Sequence, residues 1–417
     1  MCVRRPLLGL MLLAFSTQAF TLSLSHSPLS DPTARQSGNV GSPHSISITG
    51  PKSQLKPKSK SIDTARTVPL SKKHFQTSDR TTYLNWLSVK YAWDPITVTR
   101  MLRYGDRNSA VDEINARLIL LGDNKAPVPT AGLFTANLAT AVRRFQHRHG
   151  LDADGIVGPE TLKWLNVSPN NKAQLLSQNM TKKIDYLANL GTRYLLVNIP
   201  AYELLLSDNG KVKLRSRVIV GKPLKPTPIM NSEISSIVIN PSWRVPRSIL
   251  LDDLLPKLQT NGAFIAEQNF SVFDMKNERV EKKPEEWSKL AKGDFPYRLE
   301  QKPGVSNTLG RYKLYFPNKY SVFLHDTPNP ELFNNTNRSL SSGCVRIEKV
   351  EALASWIADN LIQDKQLWTE LLAVRTNTKW FTLRDILPIH LVYWTAWIDD
   401  MGLSQFRDDI YALQPEQ

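Results

Sequence analysis

Tyr194-Leu195-Leu196-Val197-Asn198-Ile199, then Glu203-Leu204-Leu205-Leu206 and the turn Asp208-Asn209-Gly210, mark where the pattern of this 417-residue chain changes. Short aliphatic runs bounded by a turn of this composition read as a β-hairpin. Val212 to Val220 continues the pattern, Gly221 and Pro223 break it, and Ile234 to Ile239 reads as a further buried strand. Leu309 to Phe316, a turn at Pro317-Asn318, and Tyr320 to His325 form a second hairpin. Several short strands with such turns predict a mostly-β sandwich or barrel-like domain.

Outward from that core, the strand pattern lapses between Pro246 and about Gln301 into a charged stretch with helical character, including Ile249 to Leu258. An insertion this long between strands is expected to serve the site as a lid. Val350 to Leu361 reads as a helix. Leu391 to Trp397 and Gln405 to Tyr411, around Asp400-Met401-Gly402, read as a terminal hairpin.

Upstream the spacing is helical. Val111, Ile114, Leu118 and Leu121 share one face before Gly122, and Leu138, Ala141, Val142 and Phe145 share another before Gly150. Pro159 opens a third short helix over Glu160 to Leu165. Asp152 to Gly155 fails as a calcium loop, because position twelve would be Lys163 instead of a bidentate Glu. His147 and His149 fall at a helix end, where an imidazolium suits the dipole, and are not expected to be ligands.

Residues 20–80 are rich in Ser, Pro, Thr and Lys and cannot bury enough surface to offset ordering, so they read as a basic flexible linker. Arg4 and Arg5, the apolar run Leu7 to Phe15, and Thr17-Gln18-Ala19 form a signal-peptide pattern over 1–19, with Ala19 the last residue removed. An uncleaved anchor is the alternative. The net charge of +15 points to an anionic neighbourhood, yet no basic stripe with interleaved aromatics supports nucleic acid. The expected division is therefore 1–19 signal, 20–80 linker, 81–170 helical module and 171–192 connecting helix or linker. The catalytic domain follows over 193–367, with the insertion at 247–301, and 368–417 is a C-terminal extension with a hairpin.

Once exported and processed, the chain keeps one cysteine, Cys344, which can form neither an internal disulfide nor a zinc site without a nearby histidine cluster. It stands in Ser341-Ser342-Gly343-Cys344-Val345-Arg346, after a strand that ends at His325. A thiol attacks as thiolate, and His325 is the base that would take its proton. Asp326, one residue along the strand, faces the opposite side, so a backbone carbonyl or the Ser341 hydroxyl is expected to orient the imidazole. Gly343 lets backbone N–H groups, its own and that of Cys344, approach a developing oxyanion. No cofactor and no metal are expected. Serine catalysis at Ser341 or Ser342 lacks a Ser-x-x-Lys partner.

Two resemblances enter on these residues. Ala141 to Gln146, Gly150-Leu151-Asp152 and Asp154 to Thr161 resemble the peptidoglycan-binding domain type 1 of wall enzymes, over about 105–165. His325 followed by Ser341-x-Gly343-Cys344-x-Arg346 resembles the YkuD-type L,D-transpeptidase motif. Thr227-Pro228, Trp243-Arg244-Val245-Pro246, Leu309-Gly310 and His325-Asp326-Thr327-Pro328 are similar to that family too. Many members carry His immediately before the glycine, where this chain has Ser342.

The resemblance implies an α+β multidomain protein. A small three-helix peptidoglycan-binding domain would precede a β-sandwich or barrel-like catalytic domain with a helical capping insertion, as in large Gram-negative members. It implies Cys344 as acyl nucleophile, His325 as general base and acid, and Gly343 as an oxyanion amide. Arg346 would order the motif or meet substrate, with Ser341, Ser342, Trp243 and Phe323 along the substrate cleft. The implied reaction is attack on the third stem residue of a tetrapeptide donor, release of D-Ala, and transfer to an amine of a neighbouring stem to give a 3–3 cross-link. Stem-peptide hydrolysis and attachment of a lipoprotein lysine to murein are the alternatives. Stem peptides, murein and wall synthases are the implied partners, the periplasm is the implied compartment, and carbapenems are the expected inactivators.

Overall fold

A computed structural model describes residues 70–125 and 130–414; the signal-peptide reading and most of the linker reading lie outside them. Order begins earlier than expected, because α1 (Leu70–Lys90) already covers the last part of the predicted linker. α2 (Ala110–Leu121), α3 (Ala136–Arg148) and α4 (Pro159–Asn166) are the three helices read from the apolar spacing. Thr135 caps α3 by accepting from the Leu138 N–H at 3.2 Å. α5 (Pro169–Ala188), capped by Ser168, packs along α1 and buries Leu175, Leu176 and Met180, so it belongs to the helical core and is no mere connector.

The main sheet follows. β1 (Tyr194–Asn198), β2 (Glu203–Asp208), β3 (Lys211–Gly221) and β4 (Met230–Ile239) come first. The capping insertion then adds β5 (Trp243–Arg244), α6 (Arg247–Ile249), a π-helical turn at Leu250–Leu254, α7 (Leu255–Thr260) and α8 (Phe264–Glu267). It is completed by β6 (Phe270–Phe273), β7 (Arg279–Val280), α9 (Pro284–Leu290) and β8 (Arg298–Gln301). This insertion is more than the expected helical lid. It has its own four-stranded sheet, in the order β5-β8-β6-β7, and a separate core of Val245, Leu250, Leu258, Phe270, Trp287 and Leu299.

β9 (Tyr312–Tyr315), β10 (Leu324–His325), β11 (Ser339–Ser341) and β12 (Val345–Ile347) carry the motif. α10 (Val350–Leu361) and α11 (Lys365–Leu372) follow, then β13 (Lys379–Val392) and the hairpin β14 (Ala396–Ile398) and β15 (Ser404–Phe406). The main sheet runs β11-β3-β12-β10-β9-β4-β13-β1-β2, and β2 also pairs with β3, so it closes on itself as a barrel. Closure leaves an interior for side chains alternating along each strand. Leu195, Val197, Ile237, Leu314, Leu324 and Val345 fill it together with Leu353 and Ile357 of α10.

Two boundaries differ from the sequence reading. β13 pairs with both β1 and β4, so the segment after residue 367 supplies an inner strand of the barrel and is no appendage. The terminal hairpin is shorter than expected, and it packs Ala396, Trp397, Ile398 and Phe406 into the core of the helical module. Among the described residues no helix is long and apolar enough to cross a membrane.

Candidate active site

Strand alternation sorts the site. Tyr312, Leu314, Leu324, Val345 and Ile347 point into the barrel core, so Lys313, His325 and Arg346 share the opposite face. They also stand side by side, because Lys313 is paired with His325 and His325 with Arg346. Two residues along each strand, on the same face, come Tyr315, Phe323 and Cys344. Tyr315 and Phe323 stack with ring centroids 5.8 Å apart, and the Val345 N–H donates to the Phe323 carbonyl at 3.0 Å. Cys344 is thus the diagonal neighbour of His325 on one face of adjacent parallel strands. It is a free, partly exposed thiol, with Sγ 4.0 Å from the Ser321 carbonyl.

His325 is buried, and its Nδ1 lies 2.5 Å from the Asp326 carbonyl oxygen. That contact fixes Nδ1 as the donor and leaves Nε2 as the basic nitrogen. The backbone-carbonyl alternative therefore describes the orienter, and Ser341 does something else. Burial, followed by the positive charge of Arg346, pushes the His325 pKa down to about 3, with Lys313 adding to the shift. Burial pushes the Cys344 thiol above its ordinary value against the opposing pull of the Phe323 backbone, Lys313 and Arg346. The resting pair is a neutral thiol and a neutral imidazole.

The turn before the thiol is held from three sides. Ser341 Oγ donates to the Cys344 carbonyl at 2.5 Å and accepts from the Gly343 N–H at 3.1 Å. Buried Thr227 donates to the Gly343 carbonyl at 2.8 Å while accepting from the Gly221 N–H at 2.8 Å. Tyr411 donates to the Gly221 carbonyl at 2.6 Å and accepts from the Thr227 N–H at 3.1 Å. Gly343 has φ +112°, a conformation an L-residue avoids. With its carbonyl tied to Thr227, the peptide plane aims the Cys344 N–H the other way. The Gly343 N–H, expected from sequence to meet an oxyanion, is already engaged by Ser341, so the Cys344 N–H is the available donor.

The remaining predicted residues divide. Asp326 faces away as expected, its carboxylate accepting from the N–H groups of Arg311 at 2.8 Å and Thr327 at 2.7 Å, and burial raises its pKa. Ser342 Oγ reaches Asp253 of the insertion at 3.4 Å. Lys225 pairs with Asp252 at 2.7 Å, so the π-helical turn rests on the rim of the motif. Trp243 is not placed at the thiol; it packs on Phe270 in the insertion core. Phe323 does border Cys344. Lys313 was missed by sequence reasoning, although alternation about Tyr312 and Leu314 already put it on the face of His325. Among the described residues no group of His, Cys, Asp and Glu could hold a metal ion.

His149 departs from the expected imidazolium. It is buried between Phe145 and Phe406, its Nδ1 lies 2.7 Å from the Phe145 carbonyl, and burial holds its pKa well below the ordinary value. Asp154 serves a turn, accepting from the Ile156 N–H at 2.8 Å and from Gln146 at 2.7 Å.

Two stretches of the chain match known families. Residues 192–371 match the YkuD family, described as "L,D-transpeptidase catalytic domain". Residues 107–165 match the family described as "Putative peptidoglycan binding domain". A Haemophilus influenzae protein called "Putative L,D-transpeptidase" is 39% identical over 219 residues, covering 51% of this chain and 43% of that protein. The chain thus spans less than half the length of that relative. The N-acetylmuramoyl-L-alanine amidase CwlM of Mycobacterium tuberculosis is 47% identical over 72 residues, covering 15% of this chain and 18% of its own. A solved L,D-transpeptidase from Stackebrandtia nassauensis aligns at 13% identity over 72% of this chain and 97% of its own, with a TM-score of 0.25.

Proposed function

We propose that residues 192–371, which match the L,D-transpeptidase catalytic domain, and residues 107–165, which match a peptidoglycan-binding domain, act together, and that the protein cross-links peptidoglycan stems through Cys344. The observation that carries the reading is the shared face. The Cys344 thiol just before β12, an imidazole on β10 with only Nε2 left as base, and a Cys344 N–H aimed by the Thr227 contact share that face.

Because the resting pair is neutral, His325 acts as a general base during attack and not as one half of a standing ion pair. The sulfur bonds the carbonyl carbon of the third stem residue while its proton passes to His325 Nε2. The carbonyl electron pair moves to oxygen, opposite the Cys344 N–H. Collapse breaks the amide to the terminal D-Ala, whose nitrogen takes the proton back from the imidazolium. An amine of a neighbouring stem then attacks the thioester, gives its proton to Nε2, and the thiol leaves protonated. One amide is broken and one is formed. The insertion, resting on Ser342 through Asp253, is suited to exclude water from the thioester.

Murein would be engaged through the helical module, and the periplasm is the compartment in which this chemistry has a substrate. The test is incubation with disaccharide-tetrapeptide muropeptides and mass analysis of the products. A dimer joined between third residues, with release of D-Ala, is the expected result. Free D-Ala without dimer would replace the reading with stem-peptide hydrolysis, and transfer only to a lipoprotein lysine would replace it with lipoprotein attachment.

A further inference from the structure

The face that holds Cys344 carries two positive charges and no negative one to balance them. Lys313 is half-buried on β9 beside His325, its Nζ 3.8 Å above the Phe323 ring. Arg346 stands on the other side of His325, also half-buried, and its Nε is a buried nitrogen without a hydrogen-bond partner. Among the described residues neither cation has a carboxylate within ion-pair distance; the acids around the motif are engaged elsewhere, Asp252 and Asp253 with Lys222 and Lys225, Asp326 with the N–H groups of Arg311 and Thr327, and Glu348 with Arg217. The Phe323 face offsets part of the cost of holding the ammonium there. An unpaired, partly desolvated cation is nonetheless expensive, and two in one site mark a place made for an anion.

A transpeptidase donor would supply that anion, so the role of the two cations rests on the proposed cross-linking function. A donor that ends one residue past the scissile amide brings a terminal carboxylate within one residue length, about 3.5 Å, of the bond that breaks. We propose that Lys313, together with Arg346, clamps the free C-terminal carboxylate of the donor stem, which makes Lys313 a specificity-determining residue for donors ending one residue beyond the attacked carbonyl. A donor with a further residue, or with an amidated end, presents a neutral amide at that point and leaves both cations unpaired. Charge-assisted hydrogen bonds of this kind correspond to a preference of about tenfold to a hundredfold. The same face explains why a cation next to the base is tolerated: the incoming carboxylate neutralises it when substrate binds.

The experiment compares a tetrapeptide-stem donor with its C-terminal amide, using the full chain and measuring kcat/KM for each. The wild type should favour the acid by at least about tenfold. Lys313→Met should bring the two donors toward parity by raising KM for the acid, and Lys313→Arg should restore the preference. Thermal melting of each variant establishes that it is folded. A Lys313→Met enzyme that keeps the wild-type preference overturns the proposal, as does an equal slowing of both donors, which would assign Lys313 to the thiol alone. If the wild type turns over neither donor, the transpeptidase reading falls and the clamp with it.

Discussion

His325 sits between two cations, Arg346 and Lys313, and burial already disfavours its charged form, so its pKa lies near 3. Cys344 has the opposite problem, since burial raises the thiol despite the same two cations. The sign for reactivity follows. The thiolate fraction of the free enzyme grows with pH and is still growing above the ordinary cysteine range, instead of levelling near neutrality as an ion pair would. Alkylation of the resting enzyme by iodoacetamide should therefore accelerate steadily from about pH 7 to pH 9, roughly tenfold per unit. A plateau already at neutral pH would show a preformed thiolate. Cys344 and His325 were singled out in the sequence by the Ser-Ser-Gly-Cys setting and by a histidine ending a strand, and the sheet register sets them on one face. Lys313 was not, since alternation names the face of a residue but not the neighbours it meets across the sheet. The engaged Gly343 N–H was hidden for the same reason, as no pattern in the chain announces the Ser341 contact.

At the scale of elements, the motif turn is shaped by a loop far away in sequence. Gly221 ends β3, and a Cβ there would lie 2.2 Å from the Lys225 carbonyl oxygen and 2.6 Å from the Thr227 nitrogen, so the loop closes tightly over it. That closure delivers the Thr227 hydroxyl to Gly343. Thr227→Val keeps the shape and removes the hydroxyl, leaving the buried Gly221 N–H and Gly343 carbonyl without this partner. A stability loss of about 1–3 kcal/mol is expected by denaturant titration. Because the Cys344 N–H loses its aim, acylation should slow by about 10²-fold, a drop too large for the stability change to explain while the variant remains folded. The Val350 helix and the early strands were readable from periodicity. β13 was not, because Arg384, Asp385 and Pro388 interrupt its apolar pattern, and its register shifts between Thr382 and Leu387. The sheet of the insertion was obscured by strands of only two to four residues.

For the whole molecule, the C-terminal segment joins what the sequence reading separated. β13 completes the barrel, β14 and β15 enter the helical core, and Tyr411 returns to buttress Gly221 and Thr227 beside the motif. Arg148 of α3 anchors this path. It meets Asp123 in a buried bidentate pair at 2.8 and 2.5 Å and donates to the Ser404 carbonyl at 2.7 Å. Arg148→Ala leaves Asp123 buried and unpaired, a loss of about 3–5 kcal/mol. Limited proteolysis should then cut both the helical module and the terminal hairpin, whereas cleavage confined to one would show that they fold independently. Contacts this distant in the chain leave no periodic trace: the terminal hairpin was readable from its turn, but its packing into the helical core and the inner strand β13 were not.

In the proposed reaction Cys344, with His325 as base, takes the acyl group. The most direct test is intact mass spectrometry with peptide mapping after exposure to a carbapenem. A single covalent adduct on Cys344 is expected, absent in Cys344→Ala and formed at least about 10²-fold more slowly in His325→Gln. A wild-type mass that does not shift, or an adduct mapped to another residue, would contradict it.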